Sequence, residues 1–364
     1  MESNYKHLEN SCKRRKCSKK VISPVAESQN PVTETKKPKI PQETAKKLYC
    51  FTHNNVTYIA VVLSTLEIHI YNQVPNLSNR FTIKLPNPSL SKKIKKIDSQ
   101  GINLVLADNT YLFYIVNLIT GEFLIVQRFQ VTALIVLNNS CFATGDKIGQ
   151  VHLWDMKGEN IFVVNYKSYV DKLKAVGNDK FVLSVHLDYT IQILNVDKQK
   201  FELDNHIKQR VVDIDSNNRY VYILLLDNTV AVYEIQVKTV SYCRNIYIDG
   251  NFLSVGFLAC MTKVCTHFLL NSSIMVHSFY YDKENLDLSE RIKIKGENVK
   301  LSKFYNQNTV FGLKNNRVFR INLDTQQVEK SAISTNSIFD LVILDINSIL
   351  TCSHSGDLNQ LSFK

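Results

Sequence analysis

The segment Cys141–Glu159 reads CFATGDKIGQVHLWDMKGE and contains a pattern that recurs along the chain. A short apolar run is followed by a polar turn that contains two glycines, and then by a run in which polar and apolar residues alternate. Alternation with a period of two is typical of a β-strand, and glycine permits the backbone conformations that tight hairpin turns require. The segment therefore predicts a β-hairpin whose turn spans Gly145–Gly149.

The same pattern recurs along the chain. Eight segments share an apolar run, a polar turn and a second, alternating run. They begin at residues 58, 104, 141, 181, 221, 264, 309 and 349, so that consecutive copies start 37 to 46 residues apart. The recurrence predicts a repeat protein in which each copy is one supersecondary unit.

The repeat length identifies the expected architecture. A period of about 40–45 residues with four strands per unit is typical of WD-repeat β-propellers. The third copy carries Trp154-Asp155 at the position where WD repeats place this pair. Near the Asp position, other copies have Asn117, Asn195, Glu234 and Asn322. We therefore predict an all-β chain folded as a WD-repeat β-propeller.

The eight hairpins leave the number of blades open. A propeller commonly closes by pairing its first and last strands within one blade, which removes exposed sheet edges. Because this chain ends on a predicted strand, we expect the C-terminus to take part in such a closure. Seven blades are the favoured prediction, and eight are the alternative.

Charge and composition divide the chain into two parts. The net charge is +11, but residues 1–47 hold 12 Lys+Arg against 5 Glu, which leaves only +4 for residues 48–364. Residues 1–47 also hold four of the seven prolines and show no hydrophobic periodicity. Such a segment buries too little apolar surface to offset its ordering entropy. The sequence predicts a disordered basic tail over 1–47 and a propeller over 48–364.

Clusters of basic residues in this tail predict nuclear import. The first cluster contains Lys13, Arg14, Arg15, Lys16, Lys19 and Lys20. Short runs of this kind are typical of nuclear localisation signals or nucleic-acid contacts, and a solubilising tail is the alternative. The longest apolar runs fall far below the ~20 residues that cross a bilayer as a helix, so we expect a nuclear protein that does not contact membranes.

A second basic segment lies between the first two copies, within the predicted propeller. Six cationic residues occur there before the first acidic residue, Asp98: Arg80, Lys84, Lys92, Lys93, Lys95 and Lys96. This composition predicts either a strip that contacts phosphate groups or a solvated loop. Four of these residues are candidate partner or RNA contacts: Lys92, Lys93, Lys95 and Lys96.

The sequence carries no complete motif of catalysis or of metal or nucleotide binding. Gly145 and Gly149 lack the Lys-Ser/Thr ending of a phosphate-binding loop, and they precede a strand rather than a helix. Cys12 and Cys17 lack a second pair of ligands at zinc spacing. We therefore predict no metal site, no cofactor, no small-molecule substrate and no enzymatic activity.

One stretch of the third copy resembles a particular family. Gln127-Arg128-Phe129, Thr132-Ala133-Leu134 and 145–151 (GDKIGQV) are similar to the non-catalytic WD-repeat subunit of the tRNA guanine-N7 methyltransferase. The resemblance implies a scaffold that stabilises a catalytic methyltransferase subunit in a heterodimer and helps to bind tRNA. The alternative is a nuclear WD-repeat scaffold of another complex, such as one in ribosome assembly.

The resemblance also implies two contact residues. Lys147 matches the basic residue of the family's Asp-Lys-x-Gly hairpin. In the fourth copy the family has a basic residue, implied to pair with an acidic side chain of the catalytic subunit, where this chain has Gln192. Lys147 and Gln192 are therefore the expected contacts to the partner or to RNA.

Overall fold

Thirty-one β-strands, β1 to β31, form the regular structure of the described chain. The computed structural model describes residues 44–363 with gaps at 73–77, 87–93, 110, 128–129, 139, 217–219, 228, 236–239, 248–251, 260–262, 271–272, 282–285, 295–300, 307–308, 315, 323–324, 326, 335–336 and 355. The tail residues 1–43, with the predicted import cluster, lie outside the described residues.

The strands form sheets in which each strand pairs antiparallel with the next one along the chain. Sheet I contains β1 (Ala45–His53), β2 (Val56–Leu63), β3 (Glu67–Asn72) and β4 (Ser78–Lys84); sheet II contains β5 (Ile94–Gln100), β6 (Asn103–Asp108), β7 (Leu112–Asn117) and β8 (Phe123–Gln127); sheet III contains β9 (Val131–Val136), β10 (Cys141–Asp146), β11 (Gln150–Asp155) and β12 (Asn160–Asn165); sheet IV contains β13 (Val170–Val176), β14 (Phe181–His186), β15 (Thr190–Asn195) and β16 (Lys200–His206).

The second half of the chain repeats this arrangement. Sheet V contains β17 (Val211–Ser216), β18 (Tyr220–Leu225), β19 (Thr229–Ile235) and β20 (Val240–Tyr247); sheet VI contains β21 (Phe252–Ala259), β22 (Lys263–Leu270), β23 (Ser273–Tyr281) and β24 (Leu286–Ile294); sheet VII contains β25 (Leu301–Asn306), β26 (Thr309–Lys314), β27 (Arg317–Asn322) and β28 (Gln327–Ile333); sheet VIII contains β29 (Ile338–Asp345), β30 (Ser348–Ser353) and β31 (Leu358–Ser362).

The hairpins predicted from the sequence are the second and third strands of these sheets. Within Cys141–Glu159, β10 pairs with β11 from Cys141 opposite Asp155 to Gly145 opposite Val151. Every residue of β10 is buried, which explains why second strands read as continuous apolar runs while their neighbours alternate. The all-β propeller prediction is confirmed.

The first strands of the sheets contact one another in a closed order. Each first strand contacts the first strand of the next sheet, from β1 through β5, β9, β13, β17, β21 and β25 to β29, and β29 contacts β1. We call these the inner strands. Eight sheets follow one another in the described chain, which matches the alternative blade count rather than the favoured seven.

Among the described strands, no sheet combines strands from both ends of the chain, so the predicted shared blade is not seen there. Sheet I takes its described strands from residues 45–84, and sheet VIII takes its three from residues 338–362. The two sheets meet instead where the Ala45 amide donates a hydrogen bond to the His354 carbonyl, at 2.8 Å. The first strand also begins at Ala45, so residues 45–47 belong to the propeller and not to the predicted tail.

Apolar side chains form the core between neighbouring sheets. Between sheets II and III, Trp154 is 1% exposed and its ring lies 5.1 Å from Phe113 and 6.3 Å from Phe142, measured between centroids. Burying each large side chain of this kind stabilises the fold by about 1.5–3 kcal/mol. Within the described residues there is no helix long and apolar enough to cross a membrane.

Candidate surface for partner binding

The turns between second and third strands and the links into the next inner strand lie at the same end of the sheets. The Tyr166 amide donates to the Gly149 carbonyl at 3.0 Å, and the Ile207 amide donates to the Tyr189 carbonyl at 2.8 Å. We call this end of sheets II to V the turn face, which is formed by residues 109, 111, 147–149, 187–189 and 226–227 with the links 166–169 and 207–210. It is where the candidate residue Lys147 lies.

Short-range hydrogen bonds fix the conformation of the turn that presents Lys147. The buried Asp146 carboxylate accepts hydrogen bonds from the amides of Ile148 and Gln150, at 2.9 and 2.8 Å. Gly149 has a φ of +92°, and a Cβ on it would lie 2.4 Å from the Tyr166 carbonyl oxygen. Because this turn is held against the following link, Lys147 and Ile148 project into solvent.

Exposed apolar side chains recur on the turn face. They occur in four consecutive sheets, with these exposed fractions: Tyr111 53%, Ile148 67%, Leu187 55%, Tyr189 41% and Leu226 61%. Single exposed apolar residues are ordinary, whereas apolar side chains that recur on one face are a feature of many binding surfaces. Tyr and Leu side chains at such turns have no role in the core that would account for them.

Cationic side chains surround this apolar series. The exposed cations of the described turn face and of the adjoining start of β5 are Lys95, Lys147, Lys167, Lys208 and Arg210, and the exposed carboxylates are Asp188 and Asp227. The surface is therefore basic, with apolar anchors between the charges. A surface of this chemistry suits an acidic protein partner or a phosphate backbone.

The predicted basic strip is divided between two places in the fold. Lys92 and Lys93 lie outside the described residues, while Lys95 and Lys96 begin the inner strand β5. Arg80 and Lys84 lie on β4 instead, where the Arg80 guanidinium stacks over the Tyr58 ring, 5.2 Å from its centroid. The Lys84 ammonium pairs with the Glu67 carboxylate at 3.1 Å. The described residues of the strip thus do not form one continuous surface.

Gln192 does not lie on the surface, and this corrects its assignment as a contact residue. It occupies β15, opposite Ser184 on β14, and is only 2% exposed. The third strand alternates between two buried environments, so a polar residue there faces neighbouring sheets rather than a partner. In this structure the Gln192 side chain cannot reach an acidic side chain of another protein.

The described residues offer no evident catalytic chemistry. They contain no group of three or more His, Cys, Asp or Glu side chains that could hold a metal ion. Burial, with the nearby Asp340 and Asp357 carboxylates, raises the pKa of the Cys352 thiol to about 12, so that it is not a nucleophile at neutral pH.

Sequence reasoning identified Lys147 but missed the apolar members of the turn face. Tyr111 and Tyr189 each directly precede a third strand, as Gly149 does, and they share its left-handed φ, at 70° and 68°. Aligning the copies on the third strand would have placed these residues in one turn. An exposed tyrosine where other turns use glycine is the signal that could have found them.

Comparisons with known proteins give the fold and no closer relationship. No protein family matches the sequence, and no curated protein matches it. The crystal structure of the computationally designed protein Ika8 is similar with a TM-score of 0.69 and 14% identity, over 89% of this chain and 97% of that chain. Sqt1 from Saccharomyces cerevisiae is similar with a TM-score of 0.67 and 13% identity, over 89% and 96% respectively. These likenesses show a WD-repeat β-propeller fold.

Proposed function

We propose that this chain is a non-catalytic scaffold that binds a partner protein on its turn face. The observation that carries the proposal is the series of exposed apolar side chains, Tyr111 to Leu226, set among exposed cations on one end of four consecutive sheets. Apolar anchors supply most of the affinity of a protein interface, and surrounding charges set its orientation and rate of association.

We further propose that the partner is the catalytic subunit of a tRNA guanine-N7 methyltransferase. The resemblance of residues 127–151 to the WD-repeat subunit of that enzyme supports this identity. In this arrangement the partner binds S-adenosylmethionine and transfers its methyl group to guanine N7. Lys147, Lys167 and Arg210 contact the tRNA backbone near the interface, since contacts to phosphate groups position structured RNA.

Two measurements test this identity in cells. We expect affinity purification of the chain to recover a small methyltransferase. We also expect depletion of the chain to remove N7-methylguanosine from tRNA. Intact modification after depletion would exclude the methyltransferase role. Recovery of pre-ribosomal proteins without a methyltransferase would instead support a scaffold in ribosome assembly.

A matched pair of variants tests the surface itself. Ile148→Asp places a charge among the apolar anchors of the turn face. Ile161→Asp places the same charge on β12, outside the turn face, where Ile161 is 44% exposed. We expect Ile148→Asp to weaken partner binding at least tenfold, because desolvating the carboxylate in the interface is unfavourable. Ile161→Asp leaves binding unchanged. Equal affinities for the two variants would rule out the turn face as the docking surface.

Reversing the charge of Lys147 tests its electrostatic contacts without disturbing the fold. Lys147→Glu reverses one exposed charge without removing any hydrogen bond of the turn, so the melting temperature stays the same. Partner or RNA binding weakens, and its dependence on salt concentration becomes less steep. Unchanged affinity at low salt would remove Lys147 from the contact surface.

We also propose that the basic tail directs the chain to the nucleus. Replacing Lys13, Arg14, Arg15, Lys16, Lys19 and Lys20 by alanine is expected to leave a fluorescent fusion of the full chain in the cytoplasm. The same replacement at Lys157, Lys167 and Lys180, which are outside the cluster, serves as the control. Nuclear accumulation of the cluster variant would contradict the proposal.

A further inference from the structure

A cavity opens between the inner strands of sheets II to V. Its volume is about 310 Å³, which corresponds to about ten water molecules. Its charged lining residues are Lys96, Asp171, Lys172, Lys174 and Asp213, and apolar residues of β9, β13 and β17 complete the wall. A cavity of this size accommodates one small polar molecule.

A β-bulge brings neighbouring charges of β13 into this cavity. The register between β13 and β14 shifts between Val170 and Lys172, so Asp171 is the extra residue of the bulge. In a regular strand, adjacent side chains point to opposite faces, and a bulge locally removes that constraint. Asp171 and Lys172 both line the cavity, as do Leu173 and Lys174 that follow them. Bulges of this kind re-aim side chains and are frequent beside binding sites.

The charges of the cavity are unequally compensated. The Lys174 ammonium pairs with the Asp215 carboxylate at 2.8 Å, and the Asp213 carboxylate accepts a hydrogen bond from the Ile214 amide at 2.9 Å. Within the described residues, Lys96 and Lys172 have no carboxylate at ion-pair distance. Burial lowers the pKa of Lys96, and the neighbouring Lys172 and Lys95 lower it further although Asp171 opposes them. Lys96 and Lys172 line the same cavity, so their like charges face one enclosed space.

We propose that this cavity binds hydrogen phosphate, either as the free ion or as the phosphomonoester of a small molecule. The ammonium groups of Lys96 and Lys172 donate hydrogen bonds to the anionic oxygens, and their mutual repulsion is relieved. The Asp171 carboxylate only accepts hydrogen bonds, so it requires a ligand that also donates one. A monoprotonated phosphate has both a negative charge and a P–OH donor.

This combination of groups discriminates among anions. Sulfate and the phosphodiesters of RNA are fully ionised near neutral pH and offer no hydroxyl to Asp171, so their oxygens are repelled by that carboxylate. A site that hydrogen-bonds a hydroxyl disfavours analogues lacking it, because a carboxylate then faces another anionic oxygen. The inference does not rest on the proposed scaffold function, since it concerns the inner strands and not the apolar anchors.

Isothermal titration calorimetry of the full chain at about pH 6, where a phosphomonoester is substantially monoprotonated, tests the proposal. The probes are inorganic phosphate, glycerol phosphate, sulfate and a short single-stranded RNA. We expect phosphate to bind and sulfate not to bind, and the stronger of the two phosphate probes identifies the source. Binding of sulfate with equal affinity, or no phosphate binding at all, would overturn the proposal. RNA displacing phosphate from the cavity would overturn it as well.

Three variants assign the roles of the residues. Lys96→Met and Lys172→Met keep the aliphatic stem and should each weaken phosphate binding about tenfold or more. Asp171→Asn should allow sulfate to bind, because the amide donates a hydrogen bond to an ionised oxygen. Lys157→Met, on an exposed turn between β11 and β12, is the control and leaves binding unchanged. If wild-type and both lysine variants bind phosphate equally with unchanged melting temperatures, the cavity is not the site.

Discussion

At the residue scale, the two glycines Gly145 and Gly149 meet different structural requirements. Gly149 adopts a left-handed φ in the turn, whereas Gly145 lies within β10 and is required because a Cβ there would lie 2.4 Å from the Val170 side chain. The first requirement is conformational, and the second is steric contact between sheets III and IV. The sequence predicts both glycines in the turn, but only Gly149 lies there, because Gly145 belongs to β10.

Substituting Gly149 tests the closeness of the turn to the following link. Gly149→Ala forces a side chain into a left-handed conformation and against backbone oxygens that cannot move aside, so we expect a loss of about 3 kcal/mol in the free energy of unfolding. Gly121→Ala is the control, because Gly121 has a φ of +76° but a Cβ there meets only side-chain atoms, the nearest at 3.3 Å. Urea denaturation measures both, and equal losses would contradict the steric explanation.

The hydrogen bond that the Trp154 indole donates can be tested by substitution. Its Nε1 donates to the Thr144 hydroxyl at 2.8 Å, and both residues are fully buried. Thr144→Val preserves shape but leaves the donor unpaired, which costs about 1–3 kcal/mol. The same change in a Trp154→Phe background should cost much less, because the unpaired donor is absent. A double-mutant cycle with additive losses would contradict this interpretation.

At the element scale, degenerate copies keep the hydrogen bonds of the WD repeat with different residues. The Asp155 carboxylate accepts from the amides of Lys157 and Glu159, at 2.9 and 2.8 Å. Asn117 performs the same task after β7, where its side-chain oxygen accepts from the amides of Ile119 and Thr120. A short acceptor at the end of the third strand therefore defines this turn, which is why Asn replaces Asp without loss of the fold.

This equivalence predicts how the turn tolerates substitution. Asp155→Asn retains the acceptor oxygen and should change the free energy of unfolding by less than about 0.5 kcal/mol. Asp155→Ala removes two hydrogen bonds at an exposed turn and should cost about 1 kcal/mol. Chemical denaturation of the two variants measures the difference. Equal stability of the two would mean that water replaces the carboxylate fully.

At the scale of the whole molecule, contacts between sheets hold the ring together. The Asp98 carboxylate of sheet II accepts a hydrogen bond from the Val136 amide of sheet III at 2.7 Å. Burial raises the pKa of Asp98 above its ordinary range, although the backbone hydrogen bonds and the ammonium groups of Lys47 and Lys174 oppose the increase. The folded state therefore favours the protonated form of this carboxyl group.

The raised pKa of Asp98 makes the stability of the fold depend on pH. A folded-state pKa above the unfolded one contributes stability at low pH that is lost as the pH rises through the folded value. Asp98→Asn, which stays neutral and keeps an acceptor oxygen, should raise the melting temperature by about 2 °C at pH 7, with a smaller gain at pH 4. Glu159→Gln, an exposed carboxylate, is the control. A gain at pH 4 equal to that at pH 7 would exclude burial of the charge as the cause.

Truncation tests where the propeller begins. A chain starting at residue 48 lacks Ala45, which is 2% exposed and donates to the His354 carbonyl of sheet VIII. We expect this chain to melt at a lower temperature than one starting at residue 44, because the contact between the first and last sheets is lost. Differential scanning calorimetry measures both melting temperatures. Equal values would indicate that the propeller begins at residue 48.

The sequence by itself determined the repeat and the fold class, since period-two alternation, Trp154-Asp155 and the turn acceptors are local properties of the chain. The tertiary structure alone decided which residues are surface. Gln192 sits in an alternating strand that looks half-exposed in sequence, but sheets on both sides bury it. Lys95 and Lys96 look like one exposed loop with Arg80, yet they begin an inner strand, and Lys96 lines the cavity with Lys172 from a distant copy. Burial and proximity between copies depend on how the sheets close around the ring, and no local pattern encodes that packing.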